Sequence, residues 1–293
     1  MKPSYRFFAY DTRSGQLLPQ ALEVFSYPMG DVTVRRVADR EMFGGAQVMV
    51  VQSSAPDWSV VYAWADLLRE FDRRILVLPY LPSARGDKDA PSPARVNARL
   101  AAAAGITNLI TLDPHSPVWL DTLRAASAHT VAVHELNLPA IVRSSIPFDL
   151  KLDGIIAPDN GARQRAGAVA NAFGLPLLTA SKHRDPETGR LSEYVAPKDA
   201  VEGGTYLVVD DICDGGGTFN LLADAMPAGV ELHLWVSHGG FTKGVQALVN
   251  RYTTIFTTDS LLSAREAAVG YGAVVVRSLL GDIASAVRAI DGN

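Results

Sequence analysis

The stretch Tyr206-Leu207-Val208-Val209-Asp210-Asp211-Ile212-Cys213-Asp214-Gly215-Gly216-Gly217-Thr218 decides how this chain is read. Tyr206–Val209 has the apolar character of a buried strand. It runs into paired carboxylates, then a triple glycine, then a threonine opening a helix over Thr218–Met226. Glycines let backbone N–H groups approach an anion closely, and a helix amino terminus adds the positive end of its dipole. Thr218 adds a hydroxyl donor. Paired acids ahead of such a nest would repel a phosphate, so Asp210 and Asp211 suit sugar hydroxyls instead. The pattern therefore predicts a ribose-phosphate site, with the anion on the glycine loop and the diol on the carboxylates. As a plain strand–helix turn, the same stretch would use Asp214 as a helix cap and leave the paired acids without a task.

Outward from this loop, short apolar runs alternate with Ala-rich helical stretches. Gln47–Val51, Ile75–Leu78, Thr107–Leu112, Gly154–Ala157, Leu177–Thr179, Glu231–Val236, Thr254–Thr257 and Ala273–Val276 read as strands. Ser59–Phe71, Pro93–Ala104, Ala162–Phe173 and Leu279–Ile290 read as helices, with Gly105 and Gly174 as stops. Such alternation predicts the α/β class, with two units built on mainly parallel sheets. Pro147 and its polar neighbours interrupt the pattern, so the boundary is expected between 1–146 and 147–293. Trp58, Trp64, Trp119 and Trp235 are expected in the core or at an interface.

Composition narrows the classes of function. At 293 residues, 48% hydrophobic and 20% charged, the chain can bury a sizeable core and is not a disordered sequence. A net charge of −4 gives no reason to expect nucleic acid or an anionic membrane as partner. The lone Cys213 cannot form an internal disulfide, and no Cys/His cluster suggests zinc. The amino-terminal residues carry no apolar signal core, and no apolar run reaches membrane-spanning length. A cytoplasmic setting is expected.

In open parallel sheets ligands bind beyond the carboxyl ends of the strands. Four further segments put ionisable groups there: Ala84-Arg85-Gly86-Asp87, Asp113-Pro114-His115, Pro158-Asp159-Asn160-Gly161 and Lys182-His183-Arg184. His115 and Asp159 would suit Mg²⁺ bound to nucleotide phosphates. Lys182 and Arg184 would neutralise charge on a transferring phosphoryl group, and Arg85 would hold a further phosphate. Singly, each also reads as an ordinary loop: a surface histidine, a solvated basic turn, an Asp-Asn-Gly turn.

Together and in this order, these segments resemble the ribose-phosphate pyrophosphokinases (PRPP synthases), a family within the type I phosphoribosyltransferase-like fold. The resemblance runs from about Val24 to Ser263. It implies two tandem phosphoribosyltransferase-like domains, the first on the ATP side and the second on the ribose-phosphate side. It implies transfer of the β,γ-diphosphoryl group of ATP to the C1 hydroxyl of ribose 5-phosphate, giving PRPP and AMP. Lys182 and Arg184 match the catalytic pair, and His115 and Asp159 the Mg²⁺-associated residues. Phe25, Arg85, Asp87 and His115 fall at the ATP site. Asp210, Asp211, Asp214, Gly215, Gly216, Gly217 and Thr218 match the ribose 5-phosphate loop. A homo-oligomer is also implied.

This chain departs from the family pattern in four places. Pro114 stands where the family has Leu before the histidine. Gly86 stands where the family has Gln. Lys88–Pro91 replaces a longer basic stretch. Phe25-Ser26-Tyr27-Pro28-Met29 replaces a Phe-x-Asn-x-Glu that reads adenosine. Three alternatives remain open at this level: the same chemistry on a larger 5-phosphoribosyl acceptor such as ADP-ribose, a type I phosphoribosyltransferase, and a catalytically silent regulatory subunit.

Overall fold

The computed structural model describes residues 4–38, 42–184 and 191–292, excepting the side chains of 182–184 and 191–193. Two compact units partition the chain: Met1–Leu136 together with Leu279–Asn293, and Asn137–Ser278.

The first unit begins with β1 (Ser4–Asp11), β2 (Gln16–Pro19), β3 (Leu22–Ser26) and β4 (Val32–Arg36). It continues through β5 (Gln47–Gln52), α1 (Trp58–Leu67), β6 (Arg74–Val77), α2 (Pro93–Ala103), β7 (Asn108–Thr111), α3 (Val118–Ala126) and β8 (Ala132–Glu135). Its sheet has the order β2-β1-β5-β6-β7-β8, and β3 and β4 form a separate antiparallel hairpin. Strands β5 to β8 are parallel, whereas β1 runs antiparallel to both its neighbours. All six residues of β5 are buried, as a strand covered on both faces requires.

The second unit contains α4 (Leu138–Ser145), β9 (Gly154–Ala157), α5 (Arg163–Phe173), β10 (Leu177–Thr179), β11 (Ser181–Arg184), β12 (Leu191–Val195), β13 (Thr205–Cys213) and α6 (Gly217–Ala225). It ends with β14 (Glu231–Gly239), α7 (Gln246–Val249), β15 (Thr254–Thr258), α8 (Leu262–Ala268) and β16 (Val274–Arg277). Its main sheet, β10-β9-β13-β14-β15-β16, is parallel throughout. The last helix, α9 (Leu280–Asp291), belongs to the first unit, where Arg73 binds the Ile290 carbonyl and pairs with Asp291 at 3.3 Å.

The α/β class and the parallel sheets agree with the sequence. Gly105 and Gly174 end their helices in the left-handed conformation, at φ 74° and 68°, which costs glycine no Cβ clash. Trp64, Trp119 and Trp235 are fully buried. Three differences bear on the site. The strand expected over Tyr206–Val209 runs on to Cys213, so Asp210 and Asp211 lie inside it. The cause is pairing with β14, which continues past the carboxylates to Cys213↔Gly239. The following helix starts at Gly217 with Gly216 as its cap, so Asp214 is not the capping residue. The hairpins β3–β4 and β11–β12 have no counterpart in the sequence reading, which marked only alternating strand and helix.

Candidate active site

In the second unit the carboxyl ends of β9 and β13 face a common region. After β9, Asp159 Oδ1 accepts a hydrogen bond from the Ala162 amide at 3.1 Å, closing the turn into α5. From the first turn of α5, Arg165 reaches Asp210 Oδ1 at 3.6 Å and Asp211 Oδ2 at 3.3 Å. All three side chains are nearly buried, at 12%, 15% and 6% exposed. Burial, with the Asp211 charge beside it, pushes the Asp210 carboxyl well above its ordinary range, while Arg165 opposes the shift. Each carboxylate also accepts the next backbone amide at 2.9 Å. The two acids are thus fixed in orientation as an acceptor pair within the last residues of β13.

The glycine loop follows directly. Gly216 has φ 76°, and the Leu248 side chain lies 3.3 Å from where its Cβ would be, so both backbone and packing select glycine. No side-chain hydrogen bond caps α6, whose amino end directly follows the glycine loop. A second loop, from Gly240 to Gly244, braces the first. The amides of Gly240 and Phe241 donate to the Cys213 carbonyl at 2.8 and 3.0 Å, and that of Thr242 to the Asp214 carbonyl at 3.0 Å. The Thr242 hydroxyl donates to Asp214 Oδ1 at 2.6 Å. Burial and the nearby carboxylates Asp214 and Asp210 push the Cys213 thiol up to about 12, which removes it as a nucleophile.

Lys182 and Arg184 fall in β11, with Lys182 paired to Tyr194 of β12 and an irregularity in register between His183 and Arg184. Their side chains lie outside the described residues. Tyr194 anchors the hairpin: its hydroxyl donates to the Pro158 carbonyl, next to Asp159. Burial, together with the charges of Asp159 and Asp210, raises its ionisation well above the ordinary tyrosine range. The hydroxyl therefore stays a proton donor.

The remaining sequence candidates belong to the first unit. After β6 the chain makes a 3-10 turn, Ala84–Gly86, that leaves Arg85 exposed and Asp87 buried. A Cβ on Gly86 would lie 2.4 Å from Pro93 Cγ, so the departure from Gln at this position is enforced by helix α2 pressing on the loop. Ser92 holds that contact, donating to the Gly86 carbonyl at 2.8 Å while accepting the Arg95 amide at the start of α2. The neighbouring Asp113–His115 loop leaves β7 with Asp113 at φ 42° and His115 exposed. The Leu112 amide and Thr111 hydroxyl both donate to the Pro79 carbonyl, tying the ends of β6 and β7 together. Phe25 lies on β3, where the Arg35 guanidinium sits 3.8 Å from its ring centroid and Tyr27 meets it edge-on at 4.9 Å. Arg35 is in turn held by Glu23 at 2.7 Å.

Arg165, Tyr194 and Thr242 are site residues that sequence reasoning missed. Arg165 had a signal, because a basic residue in the first turn of a helix opposes the dipole unless an acid nearby compensates it. Among the described residues, no group of three His, Cys, Asp or Glu side chains could hold a metal ion. No helix among them is long and apolar enough to cross a membrane.

Residues 139–272 match the phosphoribosyl transferase domain family, a span that follows the second unit closely. Over the whole chain the fold is that of a phosphoribosylpyrophosphate synthetase: the Mycobacterium smegmatis structure of that name superposes with a TM-score of 0.72 at 22% identity, covering 93% of this chain and 91% of that one. Among curated relatives, the ribose-phosphate pyrophosphokinase of Bradyrhizobium diazoefficiens is 31% identical over 276 residues, 84% of this chain and 82% of its own. That of Rhizobium meliloti is 28% identical over 297 residues, covering 93% and 94%. An α/β chain whose second unit is a phosphoribosyl transferase domain thus defines the class. Within it, the chain belongs to the ribose-phosphate pyrophosphokinase family, and it is an enzyme of that family.

Proposed function

We propose that the enzyme moves the β,γ-diphosphoryl group of ATP to the C1 hydroxyl of ribose 5-phosphate. The C1 oxygen bonds to the β-phosphorus as the bond to the α,β-bridging oxygen breaks. That oxygen leaves with AMP, and the hydroxyl proton is lost. The observation that carries this reading is the fixed acceptor pair Asp210/Asp211, held by Arg165, immediately before the left-handed Gly216 and the open amino end of α6. Family membership adds the reaction class.

On this reading Gly215, Gly216, Gly217 and Thr218 take the 5-phosphate, and Asp210 and Asp211 orient the ribose hydroxyls. Lys182 and Arg184 meet the charge that builds on the β-phosphoryl group and on departing AMP. Arg85, Asp87, His115 and Phe25 serve ATP. A magnesium ion suits the donors on offer, because Mg²⁺ keeps most of its water and takes few protein ligands, often carboxylate, beside substrate phosphates. Asp159 would hold it, and it would supply charge neutralisation on the ATP phosphates. The substrates are cytoplasmic metabolites, which is where we expect the enzyme to act, as a homo-oligomer.

The test mixes protein, Mg²⁺ and ATP with ribose 5-phosphate, and in parallel with ADP-ribose, and separates the nucleotides chromatographically. AMP with PRPP in the first reaction is the expected result. AMP with ADP-ribose alone would move the acceptor while keeping the transfer. No AMP in either would overturn the reading in favour of a base transferase or a silent subunit.

A further inference from the structure

We infer that Lys243 is a phosphate-binding residue of the ribosyl site, and that its charge selects a terminal phosphomonoester over a 5-phosphoryl group carried within a diphosphate. This rests on the ribose 5-phosphate reading of the glycine loop.

Lys243 lies in the loop that braces the glycine nest. Its stem crosses Gly215 so closely that a Cβ there would meet Lys243 Cδ at 3.2 Å and Cγ and Cε at 3.4 Å. Four hydrogen bonds from Gly240, Phe241 and Thr242 to Cys213 and Asp214 fix the two loops together. The Gly244 amide, donating to the Phe241 carbonyl at 2.8 Å, turns the chain just after the lysine. The absence of a side chain at Gly215 therefore makes room for this stem.

Charge decides what the ammonium is for. Arg165, the buried cation of the site, is engaged by Asp210 and Asp211. The Asp214 Oδ1 nearest the bracing loop accepts from Thr242. Lys243 is exposed and makes no ion pair among the described residues. A phosphomonoester with its second pKa near 6 carries about two negative charges at neutral pH. Backbone amides and a helix end answer roughly half a charge. A 5-phosphoryl group inside a diphosphate linkage carries a single charge and has less need of the cation. An ammonium at the mouth of the nest thus contributes most to binding of ribose 5-phosphate itself.

The experiment measures binding of ribose 5-phosphate and of ADP-ribose by calorimetry to the parent, Lys243→Met and Lys243→Arg, with AMP release followed alongside and thermal melts to establish folding. For ribose 5-phosphate, Lys243→Met should raise Kd about tenfold, the loss of one charge-assisted hydrogen bond. Lys243→Arg should restore most of the affinity. For ADP-ribose the change should be smaller, and KM for ATP should hold. An unchanged Kd for ribose 5-phosphate, an equal loss for both ligands, or no rescue by arginine would overturn the assignment. A parent that binds ribose 5-phosphate through Lys243 yet releases no AMP would retire the diphosphoryl-transfer reading and leave this one standing. A parent that does not bind ribose 5-phosphate would overturn both.

Discussion

The two units solve the same architectural problem differently at the carboxyl ends of their parallel strands. In the second unit the ends of β9 and β13 carry nearly buried charges committed to one another, with Arg165 bridging Asp210 and Asp211, and the exposed Asp214 beyond them accepts from Thr242. In the first unit the loops after β6 and β7 carry Arg85 and His115 exposed, on a turn that Pro93 presses against Gly86. On the proposed reading, the difference teaches that the ribosyl side is preorganised by the contacts among Arg165, Asp210 and Asp211. The nucleotide side would present exposed groups, Arg85 and His115. It is also where the chain departs from its family, at Gly86, Lys88–Pro91, Pro114 and Phe25–Met29.

If that contrast holds, substitutions in the two units should fail in different ways. The largest effect is expected where the chemistry is concentrated. Lys182→Ala should lower kcat about a hundredfold or more, as loss of one transition-state donor does elsewhere, with KM for ribose 5-phosphate held. A fall in ribose 5-phosphate affinity with kcat intact would assign Lys182 to binding instead. Next comes Arg165→Met, which strands two nearly buried carboxylates. It should cost about 3 kcal/mol of stability in denaturant unfolding, and a loss below about 1 kcal/mol would mean the trio is solvated rather than preorganised.

Asp210→Asn separates stability from function. The folded-state pKa of Asp210 is raised, so its contribution to stability is full below the unfolded value and lost as pH rises through the folded one. The variant escapes that loss. Its Tm should match the parent's near pH 4 and exceed it at pH 8, while ribose 5-phosphate affinity falls. A variant Tm below the parent's at pH 8 would show that the ionised carboxylate stabilises the fold. The smallest effect belongs to the first unit. Arg85→Ala, at an exposed position, should raise KM for ATP about threefold with no change in Tm, as exposed charge contacts are worth little. A change in Tm would mark Arg85 as structural.

Much of the second unit was legible because its signals are local. A four-residue apolar run, paired acids and a triple glycine announce a strand, an acceptor pair and a glycine turn into a helix without knowledge of any other part of the chain. The alternation of short apolar runs and Ala-rich stretches likewise announced parallel sheets. Other features depend on contacts that sequence spacing does not display. The continuation of β13 to Cys213 requires β14 alongside it. Arg165, read alone, is one charge on a helix, and its meaning comes from carboxylates 45 and 46 residues later. Tyr194 acquires a role only because β12 returns to Pro158. Lys243 does so only because Gly215 leaves room for its stem. The return of α9 to the first unit is illegible for the same reason, since Arg73 and Asp291 meet across most of the chain.

The most direct measurement is ³¹P NMR of ATP, Mg²⁺ and ribose 5-phosphate turned over by the enzyme. Transfer of the diphosphoryl group as a unit predicts that the ATP resonances fall together, replaced by AMP and by a diphosphate ester on an anomeric carbon, with no ADP. Appearance of ADP, or an ATP spectrum that does not change, would contradict the account.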